Sequence, residues 1–180
     1  MINQMKKPIL ALLSIILLLN IQSKAQSCPF KIGLGLEGAL PSNGFNITYG
    51  GGAGATLRLS KGVSEHIAVT LTSGAIAFFP KSRNNSAIGN KASLFIPVKG
   101  GAKLMLSDRV YLMGELGVTF LKSYVVTNTT GATPTYGYVH SSNFTYGPGL
   151  GIEFGLLDFN LRYENLKGSG FIGLRVGYNF

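Results

Sequence analysis

The chain has one cysteine, two histidines and only 7 Asp/Glu against 16 Lys/Arg. Cys28 alone cannot close an internal disulfide, so the fold must stand without one. Cys28, His66 and His140 are scattered, which leaves no cluster with metal-ligand spacing, and no metal or other cofactor is expected. The excess of base would suit nucleic acid, but the bases form no run, so nucleic acid is not an expected partner. Helix-period runs are also missing. The longest apolar run, Pro8 to Leu19, has twelve residues, whereas a helix needs ~20 to cross a bilayer.

That run follows Lys6 and Lys7 and precedes Ser23-Lys24-Ala25, with small residues at the −3 and −1 positions of a cleavage site. It reads as a secretory signal peptide over 1–25, leaving a single domain over 26–180. The alternative is lipidation of Cys28, with Ala25-Gln26-Ser27-Cys28 as a lipobox; Gln26 is not small, and the apolar run ends well before the box. Thirteen of the 16 Lys/Arg and all 7 Asp/Glu follow the signal.

What the mature part has instead is alternation with period two. Eight stretches show it, at 29–40, 47–59, 67–79, 94–106, 110–121, 143–155, 158–164 and 171–180. Parity sorts each into two faces. One is apolar throughout, from Phe30, Ile32, Leu34, Leu36 and Ile47 to Ile172, Leu174 and Val176. The other holds every strand charge: Lys31, Glu37, Arg58, Lys99, Lys103, Glu115, Glu153, Arg162, Glu164 and Arg175.

A soluble sandwich would turn the apolar face inward; a membrane barrel turns it to lipid. Three features favour the barrel. Fourteen of the 25 glycines fall on the charged face and four on the apolar one. Glycine does nothing for a solvated strand face, but a narrow lumen needs small residues between its large ones. Outward aromatics gather at strand ends, Phe30, Phe154, Phe159, Tyr178 and Phe180 at one rim and Tyr49, Phe79, Phe120, Phe144, Tyr146 and Tyr163 at the other, as two lipid–water interfaces require. Links after strands two, four and six are shorter than those after strands three and five. The expected fold is all-β: an eight-stranded antiparallel up-and-down transmembrane β-barrel with a polar, salt-bridged interior.

Within that barrel, a turn at Ser107–Arg109 puts Glu115 opposite Gly101 and diagonal to Lys99 and Lys103. A turn at Leu157-Asp158 puts Glu153 opposite Arg162, with Asp158 in the turn. With Arg175 these charges form an expected lumen network, read as a plug holding a small barrel together, because eight strands leave no aqueous channel; the other reading is a gated pore. The outer loops carry Lys81, Arg83, Lys91, Lys122 and Lys167 without an acid, a basic collar at the level of lipopolysaccharide phosphates. The segment Lys122–Ser142 is expected to protrude as a hairpin. Tyr124, Tyr136 and Tyr138 flank its polar tip, Thr127 to Thr135, as a surface for a protein partner. His140, beside Ser141 and Ser142, has no acid in its loop to orient it, so no catalytic residue is assigned.

The last strand places Leu174, Val176 and Tyr178 at alternate positions before Phe180, which resembles the signal read by the barrel-assembly machinery, an expected partner in biogenesis. Phe95-Ile96-Pro97-Val98-Lys99 leading into Gly101 and Lys103, with YLMGELG at Tyr111–Gly117 and YGPGLG at Tyr146–Gly151, resembles the PorT-like outer-membrane β-barrel domain of Bacteroidota. The resemblance implies the fold and an outer-membrane location, and some such proteins serve secretion; it assigns no site. The expected role is non-enzymatic, structural or interactive, in the cell envelope. The alternatives are a component of a secretion or envelope complex and, with less support, a lipid A-modifying enzyme acting through His140.

Overall fold

A computed structural model describes residues 30–81, 91–128 and 135–180. The proposed signal, Cys28, Arg83, the hairpin tip and the side chain of Tyr136 lie outside the described residues. Eight strands follow in order: β1 (Phe30–Ser42), β2 (Tyr49–Gly62), β3 (Ile67–Pro80), β4 (Ser93–Met105), β5 (Val110–Asn128), β6 (Thr135–Phe154), β7 (Leu157–Leu166) and β8 (Ser169–Asn179). One short helix, α1 (Phe45–Thr48), sits between β1 and β2. Each strand pairs antiparallel with its neighbours, and β1 pairs with β8, so the sheet closes into a barrel. No described helix is long and apolar enough to cross a membrane.

The period-two pattern becomes a barrel turned inside out. Leu36 is 72% exposed and Leu174 51%, whereas Arg58 is 1% and Arg175 0% exposed. Soluble monomers rarely expose contiguous apolar patches beyond a few hundred Å²; here the apolar face encircles the molecule. Outward aromatics end it on both sides. Phe154 meets Phe159 and Tyr178 meets Phe180 at the end where β1 begins and β8 finishes. Phe79, Phe120, Phe144 and Tyr146 mark the opposite end, called here the loop end.

The turns set the register. Lys167 (φ 48°) and Gly168 (φ 87°) are both left-handed, the backbone of a two-residue turn that matches the twist of β7 and β8. Gly155 (φ 60°) precedes Leu156 in the other tight link, where Phe154 pairs with Leu157. That turn falls two residues earlier than the one expected at Leu157-Asp158, and the shift moves every pair between β6 and β7. Glu153 therefore opposes Asp158, and Arg162 opposes Gly149. Asp158 is thereby drawn out of the turn into β7, where it is fully buried.

A second departure is at the start of β2. The register shifts between Tyr49 and Gly51, a bulge that adds one residue and reverses the parity before it. Tyr49, expected outward at the rim, instead points into the barrel and is 6% exposed, and Ile47 lies in α1 rather than on a strand.

Candidate functional site

The interior contains a closed circuit of ion pairs. Beginning at Glu37, it runs to Arg162 (3.0 Å), Glu164 (2.6 Å), Lys99 (in direct contact) and Glu115 (2.9 Å). It continues to Arg58 (3.7 Å), Asp158 (3.2 Å) and Arg175 (2.9 Å), and returns to Glu37 (3.9 Å). Four acids alternate with four bases, so the circuit is neutral. None of the eight is more than 4% exposed.

Its two longest edges are each bridged by a threonine. The Thr72 hydroxyl donates to Glu115 (2.5 Å) and accepts from Arg58 Nε (3.2 Å). The Thr56 hydroxyl donates to Glu37 (2.8 Å) and accepts from Arg175 Nε (3.1 Å). Thr145 Oγ1 donates to Glu164 at 3.2 Å, and the Tyr111 hydroxyl donates to Asp158 at 2.5 Å. With these threonines all eight strands contribute. Buried ions are tolerated where pairing and hydrogen bonds engage their lone pairs and protons. Every member of the circuit has two oppositely charged neighbours, although Arg58 Nη2 meets its carboxylate, Glu115, without a hydrogen bond.

Glycine makes room for it. A side chain at Gly35 or Gly177 would collide with the Arg175 guanidinium, and one at Gly151 with the Tyr111 ring. The bias of glycine toward the charged face is thus a packing requirement of the large inward side chains.

At the end where β1 begins lies a smaller cluster. Glu153 accepts from Lys31 (2.9 Å) and Lys103 (2.5 Å), and the Lys103 ammonium lies 3.9 Å from the centre of the Tyr111 ring. Of the expected network, Glu115 does hold Lys99. It does not hold Lys103, whose partner is Glu153, and Glu153 does not hold Arg162, which is gripped by Glu37 and Glu164. The displaced β6–β7 turn accounts for the second difference.

Toward the loop end the lumen holds no salt bridge among the described residues. Phe78, Phe95, Tyr49 and Phe171 are buried there, with Phe45 of α1 folded in against them. Phe78 lies 4.6 Å from Phe95 and 5.2 Å from Phe171, centre to centre, and Tyr49 donates to Ser93 at 2.8 Å. Sequence reasoning missed this tier. Its signal was present in the inward parity of Phe78, Phe95 and Phe171, each beside an outward Phe79, Ile96 or Ile172.

The β5–β6 hairpin does protrude. Pairing of β4 with β5 stops at Leu94–Lys122, and pairing of β6 with β7 begins at Thr145–Leu166. Beyond those points the two strands pair only with each other among the described residues, through Lys122–His140 and Tyr124–Tyr138. The Tyr124 and Tyr138 rings lie 5.0 Å apart, centre to centre, tilted by 57°, and Tyr138 is 50% exposed. The expected assembly stripe, Leu174, Val176, Tyr178 and Phe180, lies outward along β8.

No protein-family profile matches the chain, and no curated protein matches it. Solved structures do. Ail, the attachment invasion locus protein of Yersinia pestis, is 16% identical with a TM-score of 0.61, covering 84% of this chain and 97% of that one. The N-terminal β-barrel domain of Pseudomonas aeruginosa OprF is 12% identical with a TM-score of 0.59, covering 83% and 97%. At such identity the likeness is one of fold: a small eight-stranded barrel of the outer-membrane type.

Proposed function

We propose that this protein is an integral outer-membrane barrel, closed to solutes, with a non-enzymatic structural or interaction role in the envelope through its β5–β6 hairpin. The observation that carries the reading is the inverted sheet: an unbroken apolar exterior around an ion-paired interior. In water that exterior would drive aggregation; in lipid it is solvated, and closure of β1 on β8 gives every strand a neighbour on both sides within the barrel wall. The end where β1 begins then faces the periplasm and the loop end the exterior. The neutral circuit and the aromatic tier support a sealed lumen over a gated pore.

The hairpin supports interaction. Beyond the rim, Ser123–Asn128 of β5 and Thr135–Phe144 of β6 each keep one strand edge that no described strand covers. Such edges accept an extended chain by strand addition, with side-chain pockets supplying selectivity. A role in a secretion or envelope complex, implied by the PorT-like resemblance, would use the same surface. Against lipid A modification, the cross-strand neighbour of His140 is Lys122 rather than a carboxylate able to orient the imidazole.

Membrane fractionation with surface proteolysis tests the reading. The mature chain should fractionate with outer membranes, need detergent for extraction, and be cut from outside only within 122–142. A chain that stays monomeric and folded in plain buffer would overturn it.

A further inference from the structure

Inside the barrel every base has a carboxylate partner, yet Lys91 and Lys122 on the outer surface meet at one tyrosine ring with no carboxylate partner among the described residues. The Lys91 ammonium lies 4.6 Å from the centre of the Tyr124 ring and 5.7 Å from that of Tyr138. Lys122 approaches the same Tyr138 ring at 4.6 Å, and His140 is paired beside it in the sheet. The sequence has no Asp or Glu between Glu65 and Asp108, or between Glu115 and Glu153. The ring faces hold the ammoniums in place but leave their charge unneutralised.

Their height on the barrel is informative. Going outward along β5, the lipid-facing positions are Val118, Phe120, Lys122 and Tyr124, so the bases stand one position above the aromatic girdle. Immediately below them is a depression of about 550 Å³ whose apolar floor is Leu94, Ile96 and Phe120 and whose upper wall includes Lys122 and His140. An apolar floor with a cationic lip matches an amphiphile, with hydrocarbon below and an anion above.

We propose that this outward face of β4, β5 and β6 holds one phosphorylated glycolipid of the outer leaflet. Its phosphate lies against Lys91 and Lys122 and an acyl chain runs along Leu94, Ile96 and Phe120. The site rests on the membrane reading above and gives it a particular lipid contact, which an evenly basic collar would not. The wall of open backbone edges above the site remains available to a protein.

Native mass spectrometry of the mature barrel in detergent, titrated with diphosphoryl lipid A or with phosphatidylcholine, tests it. One lipid A should be retained in preference to the zwitterionic lipid. The double variant K91Q/K122Q should bind it about 30-fold more weakly, and K61Q at the opposite end should match the native chain. Unboiled gel mobility confirms that each variant is folded. Equal retention of the two lipids, or an unchanged double variant, overturns the site; so does a phosphorylated glucosamine headgroup without acyl chains that binds as tightly as the lipid. A chain that folds without detergent fails earlier and refutes the membrane reading itself.

Discussion

Glu115→Ala probes the circuit where its consequences can be worked out. The substitution removes the 2.9 Å contact to Lys99, the 3.7 Å contact to Arg58 and the bond from Thr72. It leaves three acids facing four bases, all buried. Stranding one partner of a buried pair costs about 3–5 kcal/mol. Here Lys99 keeps Glu164 and Arg58 keeps Asp158, so the loss should lie near the lower bound, about 3 kcal/mol, or roughly 100-fold in the folded-to-unfolded ratio. The chain has no tryptophan, so unfolding by guanidinium in detergent micelles is best followed by far-ultraviolet circular dichroism, with unboiled gel mobility as a second readout. The comparison variant is Glu115→Met with Lys99→Met, which restores three acids to three bases and should cost less than Glu115→Ala alone. If Glu115→Ala unfolds at the native midpoint, or the neutral double variant is the less stable, the circuit does not hold the barrel together.

Further outcomes follow from the same geometry. Gly177→Leu should displace the Arg175 guanidinium and lower stability by about 1–3 kcal/mol from overpacking, with a larger loss wherever the Asp158 contact breaks too; the same unfolding assay reads it. Gly168→Ala, at φ 87°, should cost about 1–2 kcal/mol, visible as a lower midpoint with unchanged gel mobility. In planar bilayers the native barrel should conduct no measurable current, and Phe78→Ala with Phe95→Ala should stay closed because the charged tier lies beneath; steady single-channel openings from the native chain would contradict the sealed lumen.

Much of the architecture was legible because a sheet with one apolar and one charged face writes itself into the chain at a period of two. Lys99 and Glu115 could be matched because the β4–β5 turn fell where the turn residues placed it, with Glu115 opposite Gly101. Arg162 could not. Its partners depend on a turn whose position is set by one left-handed glycine, Gly155, and a shift there changes which charges meet. Glu37 and Arg162 are 125 residues apart and join across the lumen rather than along a strand pair, a distance that parity does not encode. Tyr49 was misplaced because a bulge inverts parity locally while leaving the residue pattern plausible on either face. The outward site near Tyr138 depends on Lys91 reaching back over two rings, which only coordinates display.

The seam between first and last strands gives the charged circuit a meaning for biogenesis. Glu37 and Arg175 face each other across it in register, so neutrality is reached only when the eighth strand arrives and docks on the first. A sheet of seven strands would strand Glu37 and Asp158 short of a guanidinium, and a docking slipped by two residues would carry Arg175 away from both. Only with the eighth strand docked in this register does each carboxylate of the circuit hold its full complement of cationic neighbours.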